Sequence, residues 1–201
     1  MKEIRIRATF VEPVLGTAPN NKNIYGDYIA TKAPDAKTKE EEIAAIGVEE
    51  YEDKKLTVFP RDENDNPFFW DYQIKGFFKD SCSSLQRCKG EEFSKASCKI
   101  KAFKRVIDSV IFIKERKIPI NYEGRIELLW RPLRAQTAQG ERVALASSEM
   151  ISAGSWIEFS VVCLSDEYEA AVLEWLNYGK WRGLSQWRNA SFGRFYYEII
   201  E

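Results

Sequence analysis

Histidine is absent from the 201 residues. Its absence removes the side chain that most often moves protons near neutral pH. Ser-His and Cys-His nucleophile pairs and imidazole metal ligands go with it. Cysteine is scarce: Cys82, Cys88, Cys98 and Cys163 stand 6, 10 and 65 residues apart. No C-x-x-C pair exists, so neither a zinc ribbon nor a thioredoxin-type centre is expected, and no metal or cofactor is implied. No apolar run approaches the about 20 residues that a membrane-spanning helix needs. The first residues, Met1-Lys2-Glu3-Ile4-Arg5, alternate charge with apolar side chains and lack the oily core of an export signal. A reduced, cytoplasmic protein is therefore the expectation. Charge of one sign is not in excess either. With 30 Lys and Arg against 31 Asp and Glu, the net charge is −1, so attraction to a polyanion has to come from local patches.

What is present suffices for a core: 44% of residues are apolar and 13% aromatic. A chain of this size hides roughly 70% of its unfolded surface on folding, without metal or disulfide. One α+β domain over 1–201 is expected, carrying an acidic insertion at 35–67 with eleven Asp and Glu against five Lys and Arg. That insertion reads either as a solvated surface or as a mimic of polyanion phosphates.

Ile4, Ile6, Ala8 and Phe10 alternate with polar neighbours and predict a half-buried strand. Short helices are expected at 23–32 and 39–46. The segments 56–60 and 67–72 flank turn residues Asp62 to Asn66 and suggest a hairpin. A helix is predicted from Ile74 to Cys88, and a further helical stretch over Ser94 to Arg105. Ile107, Val110, Ile111 and Ile113 read as a strand, followed by strands at 118–122, 126–130 and 142–150. In the last third, strand Trp156–Cys163 leads to a helix, Glu167–Tyr178, capped by Asp166. A loop with Gly179, Gly183 and Gly193 follows, and residues 195–200 close as a strand. Strand, helix, glycine-bearing loop and strand make half of a ferredoxin-like (RRM-related) unit, an antiparallel sheet with helices on one face.

Charge is segregated along this chain. Residues 71–140 hold 15 Lys and Arg against 8 Asp and Glu, a surplus of 7. From Asn177 to Phe195 there are four cations, Lys180, Arg182, Arg188 and Arg194, and no acid. Trp181, Trp187 and Phe192 lie among them. Cations pair with phosphates while bases stack on rings, so the mixture suits single-stranded nucleic acid. The same aromatics could instead be core residues beside solvated arginines. In the loop, Gly183 and Gly193 bracket Gln186, Trp187, Arg188 and Asn189, and exposed backbone N–H groups there can ligand a phosphate. A third stretch, 131–142, is polar and nearly free of acid, and reads as a long loop between two strands. Its Arg131, Arg134, Gln136 and Arg142 offer guanidinium forks and an amide that suit phosphate, ribose or base edges.

The stretch Ser191-Phe192-Gly193-Arg194-Phe195 resembles the ending of the glycine-rich loop in the RAMP superfamily of CRISPR-associated proteins. Members of that superfamily build the RNA-holding backbone of effector complexes on ferredoxin-like folds. Ser185 and Ser191 stand where such loops often carry glycine. A second similarity lies at Tyr72-Gln73-Ile74-Lys75-Gly76-Phe77-Phe78-Lys79-Asp80, which resembles the stretch that opens a helix near bound RNA in the backbone subunits. The resemblance implies that Lys75 and Lys79 face phosphate beside Gly76, with helix N-terminal amides assisting. It also implies other effector subunits, or further copies of the chain, as partners. The chain further resembles small proteins of bacteriophages and mobile elements.

These features favour binding of RNA, or another single-stranded nucleic acid, without catalysis. The alternative is a phage-encoded counter-defence protein, acting by mimicry of an effector subunit or of nucleic acid, or by sequestering a nucleotide immune signal. An enzyme has the least support, because the RNA-cleaving members that use histidine have no counterpart here and the 62–65 acids read as a turn.

Overall fold

The computed structural model of the chain describes residues 1–20, 56–137 and 140–200, with the side chains of 133–144 outside that description. The expected helices at 23–32 and 39–46, and most of the acidic insertion, lie outside the described residues. Strand β1 (Lys2–Phe10) follows its alternation: Ile4, Ile6, Ala8 and Phe10 are buried. It runs antiparallel to β10 (Trp156–Cys163) on one side and to β11 (Phe195–Ile199) on the other. The far edge of β10 is shared by two short strands, β6 (Ile111–Ile113) and β7 (Lys117–Asn121). Strand β5 (Phe68–Trp70) pairs with β7 and completes the first sheet.

Three α-helices among the described residues close over this sheet: α1 (Asp71–Leu85), α2 (Phe103–Val110) and α3 (Glu169–Tyr178). Helix α1 sends Ile74, Phe77, Phe78, Cys82 and Leu85 inward, and α3 adds Ala171, Val172, Trp175 and Leu176 to the same core. Burying a side chain such as Phe78 or Leu85 contributes about 1.5–3 kcal/mol. The carboxamide oxygen of Gln73 accepts the Trp70 N–H at 2.8 Å, so α1 starts at Asp71, ahead of the expected Ile74.

A second sheet joins β2 (Val14–Leu15), β3 (Ala18–Pro19), β4 (Thr57–Val58), β8 (Glu127–Thr137) and β9 (Gly140–Ile151). Here the expected loop at 131–142 is corrected. Strands β8 and β9 stay paired from Glu127↔Met150 out to Thr137↔Gly140, so Arg131 and Arg142 lie on its two arms. The polar composition thus belongs to paired strand rather than irregular chain. The segments around Asp62 do meet as a short hairpin: Arg61 and Pro67 pair antiparallel, with Asp62 N–H donating to the Asn66 carbonyl and Phe68 N–H to the Pro60 carbonyl, both at 3.0 Å. The Asp62 carboxylate accepts Asn64 and Asn66 N–H groups and builds the turn, but β4 and β5 then go to different sheets.

Three further expectations are corrected. Phe103, Ile107 and Val110 lie at helical spacing, and that period overrides β-branched propensity: 103–110 is helix and only 111–113 is strand. Over 94–105 the expected helix gives way to 3₁₀ turns at Glu92–Ser94 and Ser97–Lys99. Its amides are drawn to α3 instead, where the Glu174 carboxylate accepts Ala96 N–H at 2.7 Å, Ser97 N–H at 2.8 Å and Ser97 Oγ–H at 2.6 Å. Asp166 does not cap α3. It opens a 3₁₀ turn, Asp166–Tyr168, with no side-chain cap, and its carboxylate faces the Met1 ammonium at 3.4 Å.

The four cysteines divide by burial, Cys82 and Cys163 inside, Cys88 and Cys98 exposed. Burial pushes the Cys82 thiol up to about 12, helped by the Glu174 charge, and pushes Cys163 up as well. Because the thiolate is the reactive form, iodoacetamide at about pH 8 is expected to modify only Cys88 and Cys98 in the folded chain. Intact-mass spectrometry checks this: two adducts when folded, and four in denaturant.

Candidate nucleic-acid interface

The loop from α3 to β11 closes on itself where Gly183 meets Gly193. The Leu184 N–H donates to the Gly193 carbonyl at 2.9 Å. A Cβ at Gly183 would strike the Phe192 carbonyl, and one at Gly193 the Leu184 carbonyl. Gly193 also sits at φ +70°, where a side chain is strained. These glycines therefore bring two stretches of the loop together, which is a different use from admitting a ligand. Ser185, Trp187 and Ser191 are left-handed too, at φ 74°, 54° and 71°. Each such non-glycine residue costs about 1–2 kcal/mol. Backbone strain is thus concentrated in this loop.

One side of the loop is anchored to the second sheet. Ser185 Oγ donates to the Leu15 carbonyl. The Gln186 amide nitrogen donates to the Gly16 carbonyl, to Thr57 Oγ1 at 2.7 Å and to Ser148 Oγ at 3.0 Å. Gln186, expected to face ligand, spends its donors as a strut. Trp187 stacks on Phe192 with ring centres 5.1 Å apart and planes 13° from parallel. The Arg131 guanidinium, reaching across from β8, lies 4.5 Å from the centre of the same indole. Trp187 thus has two planar protein partners yet remains 37% exposed.

Arg131 is only 8% exposed. Its Nη2 donates to Gln186 Oε1 over a long 3.4 Å, and Nε and Nη1 have no hydrogen-bond partner among the described residues. Desolvation accordingly lowers its pKa. Removing an ion from water costs several kcal/mol in a real protein, whereas a cation–π contact returns about 2 kcal/mol. With no anion beside it among the described residues, the burial of this guanidinium opposes folding.

The other side of the loop faces α1. Arg182 Nε and Arg188 Nη1 both donate to Asp80 Oδ2, at 2.8 and 2.9 Å. Asn189 Oδ1 accepts a second bond from Arg182 at 2.7 Å, which turns that carbonyl away from solvent ligands. Arg182, Ser185, Gln186, Trp187, Arg188 and Asn189 line an open hollow of about 370 Å³. Lys75 and Lys79, one turn apart on α1, turn to the opposite flank. Lys79 pairs with Asp108 of α2 at 2.6 Å, and Lys75 reaches the Asp108 carbonyl at 3.4 Å and lies 4.6 Å from the Phe112 ring centre. Between the flanks, Gly76 is exposed, with nothing within 4 Å of where a Cβ would point.

Arg131, Gln186 and Trp187 are thus in mutual contact, and Arg188 joins α1 through Asp80. Lys75, Gly76 and Lys79 lie on α1 itself. Arg194 turns aside, its Nε donating to the Lys180 carbonyl at 2.8 Å. The side chains of Arg134, Gln136 and Arg142 lie outside the described residues. Sequence reasoning missed Arg182 as a site residue and missed the counterions Asp80 and Asp108. Asp80 carried a legible signal, standing four residues after Gly76 and so above it on one helix face.

No family model and no curated protein matches the chain. Among solved structures, its fold is similar to a chain in the cryo-EM structure of the type III-B Cmr-beta bound to cognate target RNA. The TM-score is 0.53 at 10% sequence identity. The match covers 100% of this chain and 60% of the other, so the protein spans about three-fifths of that neighbour's length. The likeness is one of fold, an α+β arrangement of two sheets and three described helices. No helix among the described residues is long and apolar enough to cross a membrane.

If the lone guanidinium is a liability, Arg131→Met should stabilise the chain by about 1 kcal/mol, raising Tm by about 2–4 °C. Thermal denaturation of the two proteins side by side checks it.

Proposed function

We propose that the chain is a non-catalytic, RAMP-like subunit that holds single-stranded RNA within a CRISPR effector assembly. The observation that carries this reading is the charge around the exposed crest of α1. Four cations, Lys75, Lys79, Arg182 and Arg188, flank the bare Cα of Gly76 with two carboxylates among them: Asp80 pairs with both arginines and Asp108 with Lys79, while Lys75 bonds the Asp108 backbone carbonyl. Counting those groups alone, the surplus is 4 − 2 = +2 on a chain whose overall charge is −1. An α-helix with its side chains is about 10–12 Å across, so one backbone lying on the crest can address both flanks.

Topology supports the same reading. The sheet order β11, β1, β10, β6, with α1 following β1 and α3 following β10, corresponds to the 4-1-3-2 order of a ferredoxin-like split βαβ unit. In that frame the glycine-bearing loop stands before the fourth strand, as the RAMP resemblance implies. The fold neighbour belongs to an assembly bound to target RNA, which favours RNA and neighbouring effector subunits as partners. The chain has no histidine, so the reading is of holding rather than cutting.

Affinity for a labelled single strand of about twelve nucleotides should fall with salt. The expected slope of log K on log salt is about −0.7 for each phosphate contacted. Lys79→Ala and Arg188→Ala should each flatten the slope by about 0.7. Fluorescence anisotropy at several ionic strengths reads this out, and salt-independent binding, or none, would overturn the electrostatic model. Asp80→Asn should act oppositely, tightening binding about two- to fivefold by releasing two arginines from a part-buried carboxylate that competes with phosphate for them. The same titration measures it, with single-stranded DNA and duplex RNA as comparison ligands.

A further inference from the structure

At the N-terminal end of the same helix crest, away from the glycine-bearing loop, lies an aromatic cluster of which Tyr72 alone belongs to the motif at 72–80. Phe69 of β5 enters the core, so its neighbours Phe68 and Trp70 project to the other face of the sheet. Phe68 and Trp70 meet edge to face at 4.8 Å. Trp70 and Tyr72 then lie nearly parallel, 15° apart in plane with centres 6.1 Å apart. The Arg116 guanidinium covers both, 5.2 Å from the Trp70 ring and 5.9 Å from the Tyr72 ring. Lys117 lies 5.5 Å from the Phe68 ring and has no ion pair among the described residues. Tyr72 is 55% exposed, so the row of rings is open at its outer end.

Helical geometry ties this cluster to the crest. Tyr72, Gly76 and Asp80 stand at i, i+4 and i+8, one row about 12 Å long. The row runs from the rings, over the bare glycine, to the arginines held by Asp80. Hydrogen bonds join the two ends by a second route. Gln73 bonds Trp70 N–H and Thr17 Oγ1, and the adjacent Gly16 carbonyl holds Gln186 beside Trp187. Aromatic rings at one end and paired cations at the other are what a single strand needs, bases on rings and phosphates on charges.

We infer that Trp70, Tyr72 and Arg116 form a base-stacking station that holds an unpaired base of a single-stranded nucleic acid whose backbone lies along the Tyr72–Gly76–Asp80 row. This inference rests on the nucleic-acid reading above and adds where, and by which chemistry, a base is held. The bound base stacks on the open face of Tyr72, while Arg116 fixes the ring pair from the side. Every base offers a face that can stack on a ring, so recognition by stacking there is tolerant of sequence.

The test compares two 2′-O-methyl strands of about twelve nucleotides, one oligouridylate and one abasic with the same phosphates. Wild-type protein is expected to prefer the strand with bases by about tenfold or more. Tyr72→Ala should remove most of that preference and leave affinity for the abasic strand unchanged, while Tyr72→Phe retains it. Thermal denaturation shows that the variants fold. Equal weakening toward both strands, or no change toward either, would overturn the station while leaving the binding function standing. If wild-type protein binds neither strand, the nucleic-acid reading falls and the station with it.

Discussion

Two α-carbons without side chains, Gly183 and Gly193, face each other where the last loop closes, and the placement of the whole interface follows from that crossing. The Leu184–Gly193 hydrogen bond forms only because no Cβ stands between the strands of the loop. Below the crossing, Phe195 begins β11 and packs its ring against Gly179 at the end of α3. Above it, the ten residues from 184 to 193 must turn back within a short span. They do so through left-handed Ser185, Trp187 and Ser191. The crossing thus aims Arg182 and Arg188 at α1 on one side, and Gln186 and Trp187 at the second sheet on the other.

That arrangement runs against the stability of the fold. Three left-handed residues at about 1–2 kcal/mol each, and a buried guanidinium with two nitrogens unpartnered among the described residues, are all unfavourable. Whole domains are stable by only about 5–15 kcal/mol, so such terms persist only where the surrounding structure holds them in place. The holding parts are visible. Gln186 is bonded to two strands of the second sheet and to Gly16 in the link between β2 and β3, and Asp80 grips two arginines from a helix whose inner face is packed with Phe77, Phe78 and Leu85. A rigid core therefore maintains a strained, cation-bearing loop in one conformation. Such pre-organisation favours a ligand whose binding needs that geometry.

The parts legible in the sequence are those governed by local period. The alternation of β1, the inward face of α1, the strand–helix–loop–strand order of the last third and the glycines of the loop all appear where residue pattern alone places them. Elements set by distant partners were not legible. The Glu174 carboxylate draws the amides of Ala96 and Ser97 out of a helix, and no pattern within 94–105 announces a ligand on α3. The 131–142 stretch read as a loop because its residues are polar, while its pairing depends on a partner strand. Within the candidate interface, residue types drew attention to this loop, while the contacts of each side chain depended on partners across the fold. Gln186 became a strut through Thr57 and Ser148, and Trp187 acquired Arg131 as a partner. Asp80 and Asp108, which set the local charge, read as ordinary acids in a basic segment.

Those two acids decide how the crest of α1 can work. A long lysine or arginine free in water samples many rotamers, and fixing one costs about 1.5–2 kcal/mol at the moment of binding. Asp80 and Asp108 fix Arg182, Arg188 and Lys79 in advance, so that ordering cost falls on folding instead. The same carboxylates compete with any arriving phosphate. Competition is mild where the pairs are exposed: Lys79 and Asp108 are 31% and 56% exposed, and such pairs contribute about 0–1 kcal/mol. It is firmer at Asp80, where each partner is about 30% exposed and two guanidiniums converge on one oxygen. A polyanion laid on the crest can therefore draw Lys79 across readily while Arg182 and Arg188 stay in register as a fixed wall. Because the acids cancel part of the charge, the surface repays a strand that meets both flanks at once more than an anion that touches one. On this account selectivity for an extended backbone comes from partial neutralisation, which a wholly basic groove would lack.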